Sequence, residues 1–170
     1  MKDVLLVDGY NIIGAWPELR ELAAIRLEDA RDRLTELLSD YKGYTGKRVI
    51  VVFDAHQVPG TGGNYRQSGL EIIYTREKET ADECIERLVG ELGGRRVILQ
   101  VASADMTEQH VSFGRGALRM TPRELLLAVA ESRTHVRKTV EQPPPRKSSL
   151  DSVLNEDMKI LLEKWRRGKW

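Results

Sequence analysis

Apolar residues gather along this chain in two kinds of pattern. Val4-Leu5-Leu6-Val7, Val49-Ile50-Val51-Val52-Phe53 and Val97-Ile98-Leu99 are short, continuous and rich in β-branched residues, which predicts strands covered on both faces. Leu70 to Tyr74 predicts a weaker strand after a glycine-rich stretch. Between the strands, apolar residues recur at helical spacing. Leu19 to Tyr41 carries Leu22, Ile25, Leu34, Leu37 and Leu38, with Pro17 near its start and Gly43 just past its end. Ala81 to Leu92 repeats the pattern through Ile85, Leu88 and Val89 and closes on Gly93-Gly94. Strands alternating with helices of this length form right-handed βαβ units. The expected fold is therefore α/β, a three-layer αβα sandwich around a parallel sheet.

The signal thins after the third strong strand. Gln109 to Met120 (QHVSFGRGALRM) is glycine-interrupted and basic, and predicts a loop or short helix. A helix follows from Pro122 to about Val136, with Thr121 as N-cap and Met120, Leu125, Leu126 and Leu127 as core. The expected organisation is a main domain over 1–140, a proline-rich linker over 141–149, and a C-terminal amphipathic, basic helical appendage over 150–170. The stretch from 55 to 69 reads as a long glycine-rich loop in which Tyr65 and Arg66 stack on a base, contact a partner or cap the adjacent strand.

Composition narrows the class. With 41% hydrophobic and 31% charged residues in 170, collagen-like, mucin-like and disordered chains are excluded. No apolar run approaches the roughly 20 residues of a membrane span, and Met1-Lys2-Asp3 leads straight into a strand, so a soluble, cytoplasmic protein is expected. The single cysteine, Cys84, makes no internal disulfide and reads as a small core residue; His56, His110 and His135 lack metal-ligand spacing. The net charge of +1 conceals a division: residues 1–110 hold 14 basic against 19 acidic residues, and residues 111–170 hold 13 against 7. A basic C-terminal part points to an anionic partner or to a lopsided solvated surface.

The acids fall at particular places. Asp8 directly follows Val7, Asp54 directly follows Phe53, and Asp105 lies four residues beyond Val101. In an open parallel sheet these strand ends share one edge, where ligands bind at the topological switch point. Asp82 enters from the helix that begins near Thr80, on the same edge. Singly, each acid is accounted for as a turn former or a first-turn charge. Together they repel unless a cation is shared, and a hard divalent ion, Mg²⁺ or Mn²⁺, suits oxygen donors. In Asp8-Gly9-Tyr10-Asn11 the glycine permits a sharp turn, and Asn11 either reaches back to orient Asp8, binds a phosphate oxygen or makes an ordinary Asx turn. Ser103 supports the Asp105 loop, contacts a phosphate or is a simple turn hydroxyl. No P-loop, dinucleotide fingerprint or G-x-S-x-G elbow occurs, and neither the second aspartate of haloacid-dehalogenase-type phosphatases nor the acidic pair of phospho-receivers is found.

Asp8-Gly9-Tyr10-Asn11, Val52-Phe53-Asp54, Glu79-Thr80-Ala81-Asp82 and Ser103-Ala104-Asp105, in this order, resemble the NYN domain, a branch of the PIN-like nucleases, and within it the bacterial YacP-type ribosome-associated endoribonucleases. The resemblance spans roughly 1–140. It implies a PIN-like NYN fold and metal-dependent hydrolysis of phosphodiester bonds in mRNA, with Mg²⁺ or Mn²⁺ on Asp8, Asp82 and Asp105 and with Asp54 as a fourth acid. It makes Asn11 a site-shaping polar residue and the ribosome a partner. An acidic cleft needs cations to hold RNA. Arg115, Arg119 and Arg123 are the candidates, with Arg133, Arg137, Lys138, Arg146, Lys147 and the tail Trp165-Arg166-Arg167-Gly168-Lys169-Trp170 as further basic or stacking groups. Two alternatives remain open: a non-catalytic RNA- or ribosome-binding adaptor of the same fold, and a small-molecule phosphatase.

Overall fold

The computed structural model describes residues 1–55, 63–67, 69–105 and 116–141, together with Ile160, Glu163 and Arg166. Its sheet is built from β1 (Lys2–Asp8), β2 (Arg48–Phe53), β3 (Gly63–Gln67), β4 (Leu70–Tyr74), β5 (Val97–Ala102) and β6 (Leu118–Met120), in the order β3-β4-β2-β1-β5-β6. All neighbours are parallel except the edge pair β3 and β4. The helices are α1 (Gly9–Ala15), α2 (Pro17–Ile25), α3 (Leu27–Thr45), α4 (Ala81–Leu92) and α5 (Pro122–Glu141). The chain winds from β1 outward through β2 to β4, then crosses back to β5 and β6. Strand order thus reverses between β1 and β5, where the loops leaving adjacent strands part to opposite faces and open a crevice.

Side-chain alternation divides the core into two layers. Leu5, Val7, Val49, Val51, Phe53 and Ile72 pack under α1, α2 and α3, with Leu125 and Val129 of α5. Val4, Leu6, Ile50, Val52, Leu99 and Val101 face Cys84, Ile85, Leu88 and Val89 of α4. Both faces are covered, which is why the strands read as continuous apolar runs, and the expected three-layer α/β class is what the structure shows. Among the described residues no helix is long and apolar enough to cross a membrane.

Local signals set several boundaries. Thr80 Oγ1 accepts from Glu83 N at 3.2 Å and starts α4 at its expected residue. Thr121 and Glu124 form a reciprocal capping box, each side chain accepting the other's backbone N–H at 3.1 Å. Pro122 then offers its carbonyl to Trp16 Nε1 at 2.8 Å, tying α5 to the α1–α2 junction.

Elsewhere tertiary packing overrides the local reading. The helix expected over Leu19 to Tyr41 is two helices broken at Arg26, whose backbone is extended (φ −145°, ψ 120°) although no Gly or Pro marks the break. The second runs through Gly43 to Thr45, and Gly46, with φ +71°, supplies the left-handed cap. The turn expected at Gly9 is the first residue of a short helix. Residues 63–67, expected in a loop, pair with β4 as an antiparallel edge strand, and Leu118–Met120 adds β6. Polar composition hid the first and brevity the second. The helix expected to stop near Val136 continues to Glu141. Leu126 and Leu127, expected in the core, are exposed (36% and 60%), because the face of α5 that meets the sheet is the one carrying Leu125, Ala128, Val129 and Ser132.

The chain divides into two compact units, Met1–Thr134 and His135–Trp170. The first holds the sheet. In the second, Ile160, Glu163 and Arg166 are helical, and Arg166 pairs with Glu163 at 3.6 Å. The proposed 141–149 linker, apart from Glu141, lies outside the described residues, as does most of the expected appendage.

Two outcomes follow from the packing. A Cβ added at Gly9 would lie 2.3 Å from the Phe53 ring, so Gly9→Ala is expected to cost about 1–3 kcal/mol through overpacking, read as a lowered urea midpoint. Cys84 is fully buried and its thiol is pushed up to about 11, chiefly by burial. It is expected to resist iodoacetamide at pH 8 in the folded protein and to react in urea; alkylation of the folded chain would contradict this burial.

Candidate functional site

The C-terminal edge of the sheet is assembled around the exits of β1 and β5. Asp8 ends β1, is 7% exposed and lies level with Val52 of β2. By alternation it shares the α4 face with Val4 and Leu6. The backbone turns at once into α1 through Gly9, which Phe53 permits only because glycine has no Cβ. Tyr10 lays its ring on Phe53, with centroids 5.1 Å apart and tilted by 56°.

Across the crevice, three successive backbone N–H groups leaving β5 are each held. Ser103 N donates to Met120 O at 3.2 Å, Ala104 N to Asn11 Oδ1 at 2.7 Å, and Asp105 N to Ser103 Oγ at 3.0 Å. Asn11 therefore does more than make a local turn: its amide oxygen bridges the switch point to a residue 93 positions later in the chain. Ser103 is fully buried, and its hydroxyl, accepting from the N–H two residues on, is the turn hydroxyl among the roles its position suggested, supporting the backbone at Asp105.

Asp54 leaves β2 half-buried. Its exit is fastened to β4 by Thr75, which is fully buried, donates its N–H to Phe53 O at 3.0 Å and accepts from Ala55 N at 2.9 Å through Oγ1. Asp82 stands half-buried in the first turn of α4. The segment leading to it is clamped by Glu79, whose carboxylate accepts from Arg87 Nε at 3.1 Å and from Arg76 N at 3.4 Å. Burial pushes the Glu79 carboxyl up, but the Arg87 and Arg76 hydrogen bonds and charges outweigh it and hold it below its usual range.

The strand ends and the α4 N-terminus thus put Asp8, Asp54, Asp82 and Asp105 on one edge of the sheet. Among the described residues, however, no group of three or more His, Cys, Asp or Glu side chains is arranged to hold a metal ion. Of the basic candidates, Arg119 is exposed on β6, level with Val101 of β5, and Arg123 is exposed in the first turn of α5. Arg115 and His56 lie outside the described residues.

Sequence reading passed over Thr75, the Glu79–Arg87 clamp, Arg31 and Tyr74. Arg31 of α3 donates from Nη1 to the Tyr10 hydroxyl at 3.0 Å, and Tyr74 stacks on Phe53 at 5.7 Å and 28°. Burial pushes the Tyr10 phenol above its ordinary value, and the Arg31 hydrogen bond opposes that shift. Only the Glu79–Arg87 pair carried a sequence signal, an acid ahead of the helix and a base two turns in.

Three comparisons bear on this arrangement. The sequence model of the YacP-like NYN domain matches residues 5–167. The chain is 46% identical over 166 residues to the uncharacterized protein YacP of Bacillus subtilis (strain 168), covering 98% of each. Its structure is similar to the crystal structure of Rae1 (YacP) from Bacillus subtilis, with a TM-score of 0.75 at 46% identity over 98% of this chain and 95% of that one. A tryptophan-to-leucine variant of that protein gives 0.74 at 47% identity over 82% of each chain.

If the Asn11 and Ser103 bonds hold the β5 exit, Asn11→Ala is expected to raise hydrogen exchange at the Ala104 amide, and Ser103→Ala at the Asp105 amide. Each loses a bond of about 1 kcal/mol, so exchange should quicken about fivefold. NMR-detected exchange reads each amide separately; unchanged rates would place the restraint elsewhere.

Proposed function

The chain belongs to the YacP-like NYN domain family, and on that premise we propose that it is a cytoplasmic, divalent-metal-dependent endoribonuclease that cuts mRNA in association with the ribosome. The observation that carries this reading is the bridge from Asn11 to Ala104, which holds the β1 and β5 exits, and with them Asp8 and Asp105, across the switch point.

The donor set suits a hard cation. It consists of aspartate oxygens, among them those of the buried Asp8, and the one cysteine lies in the core beneath α4. Asp8, Asp82 and Asp105 would hold Mg²⁺ or Mn²⁺, with Asp54 as a fourth acid. When bound, such an ion supplies an activated water and neutralises charge on the leaving oxygen.

The chain's own residues do the rest. Ser103 and Asn11 restrain the backbone that carries Asp105, which lessens the ordering needed when substrate arrives. Thr80 and the Glu79–Arg87 clamp orient the first turn of α4 and hence Asp82. Arg119 and Arg123, with Arg115 after Asp105, would hold the RNA backbone against the acidic edge. The ribosomal association is drawn from the YacP-type resemblance.

A second reading, a non-catalytic RNA- or ribosome-binding adaptor, is favoured by the lack of a formed metal cluster among the described residues. Cleavage separates the two. Labelled mRNA with Mg²⁺ or Mn²⁺, with and without translating ribosomes, is expected to be cut by the wild type. Asp8→Asn and Asp82→Asn are each expected to slow cutting by about a hundredfold or more. Cutting that survives both substitutions would sink the acidic-site mechanism, and no cutting under any condition while RNA still binds would establish the adaptor.

A further inference from the structure

Beside the carboxylates, the same edge carries three side chains with no part in the chemistry above. Tyr10 and Tyr74, both half-buried, rest their rings on the fully buried Phe53. Tyr74 and Asp54 are close enough to act electrostatically on the Tyr10 phenol. Arg31 completes the group, reaching from α3 to the Tyr10 hydroxyl.

Arg31 is the unusual member. Arg33, Arg48 and Arg87 each meet a carboxylate at 2.9, 2.7 and 3.1 Å, with side chains 25%, 47% and 37% exposed. The Arg31 side chain is only 14% exposed, yet its carboxylate partner, Glu28, is 4.0 Å away and 64% exposed. Its close hydrogen bond goes to a neutral phenol. A guanidinium withdrawn from water is costly unless its charge is matched. Tying α3 to Tyr10 needs one donor and no charge, and among the described residues the cation is matched only by the distant, exposed Glu28.

We propose that Tyr10, Tyr74 and Arg31 form a subsite for one unpaired nucleotide of the RNA, its base lying on the phenol rings and its phosphate meeting Arg31. The reading rests on the ribonuclease function for its purpose, though not for its test. Tyrosine rings accept any unstacked base, and a guanidinium matches phosphate oxygens bidentately. Because Tyr10 accepts from Arg31, its own proton remains to be donated to the same phosphate. A base within a duplex has both faces covered, so the subsite selects single-stranded RNA at the cut.

The full-length protein, held in EDTA so that nothing is cleaved, is titrated into a fluorescein-labelled single-stranded oligoribonucleotide and into its duplex, with anisotropy as readout. The wild type is expected to prefer the single strand. Arg31→Met is expected to weaken binding about tenfold and to flatten the slope of log affinity against log salt by about 0.7, one phosphate's share. Arg31→Lys restores the slope. Tyr10→Leu and Tyr74→Leu each weaken binding about tenfold, whereas Tyr10→Phe, which keeps the ring, costs less. Thermal unfolding of every variant accompanies the titrations, because a merely structural Arg31 would lower the melting temperature and leave the salt slope alone.

That outcome, or equal affinity for duplex and single strand, overturns the subsite. If the wild type cuts mRNA with metal while all these variants bind as it does, the subsite fails and the ribonuclease reading stands. If the wild type neither binds nor cuts, both fail.

Discussion

The hydrogen bond from Ala104 N–H to Asn11 Oδ1, 2.7 Å long, is the restraint on which the functional edge depends. β1 and β5 are ladder partners as far as Val7 and Ala102. Beyond that point the chain leaving β1 enters α1, and the chain leaving β5 passes toward β6. Such divergence makes the crevice of an open parallel sheet, but it also leaves the crevice without a ladder to hold its rims. An amide side chain one turn into α1 replaces the missing rung. With Ser103 bonding on either side, three consecutive N–H groups are satisfied where an unsupported loop would leave them to water.

Phe53 joins this edge to the core. It is 1% exposed, yet Gly9, Tyr10 and Tyr74 all meet its ring. The residue before Asp54 and the two after Asp8 are therefore positioned by a single close-packed contact, and interiors packed to this density transmit small displacements. A volume change in this part of the core is felt at the acids, although no acid is itself a core residue.

The acidic edge works against stability, since like charges brought together raise the free energy of the folded state. Neutral and paired groups surround it. Thr75 ties β2 to β4, Thr80 caps α4, and Glu79 is neutralised by Arg87 before it can add to the field at Asp82. These groups position the carboxylates without supplying the countercharge, which the proposed metal and the basic residues beyond Asp105 would provide.

The strands β1, β2, β4 and β5, the extent of α4, the Thr121 cap and the placing of aspartates at or just past strand ends were legible in the sequence. Each is set by short-range physics: burial on both faces makes a run of β-branched residues continuous, and a cap acts within three or four residues. What the tertiary structure alone decided lies at long range or against local preference. The break at Arg26 carries no local mark, β3 is a strand because β4 offers it a partner, and β6 because β5 does. Asn11 chose among an Asx turn, Asp8 and a phosphate on paper, and in the fold its oxygen went to Ala104, 93 residues away. Arg31 and Tyr10 meet across 21 residues for the same reason. A sequence specifies which groups need partners; which partner each one finds depends on packing that brings distant segments within 3 Å of one another.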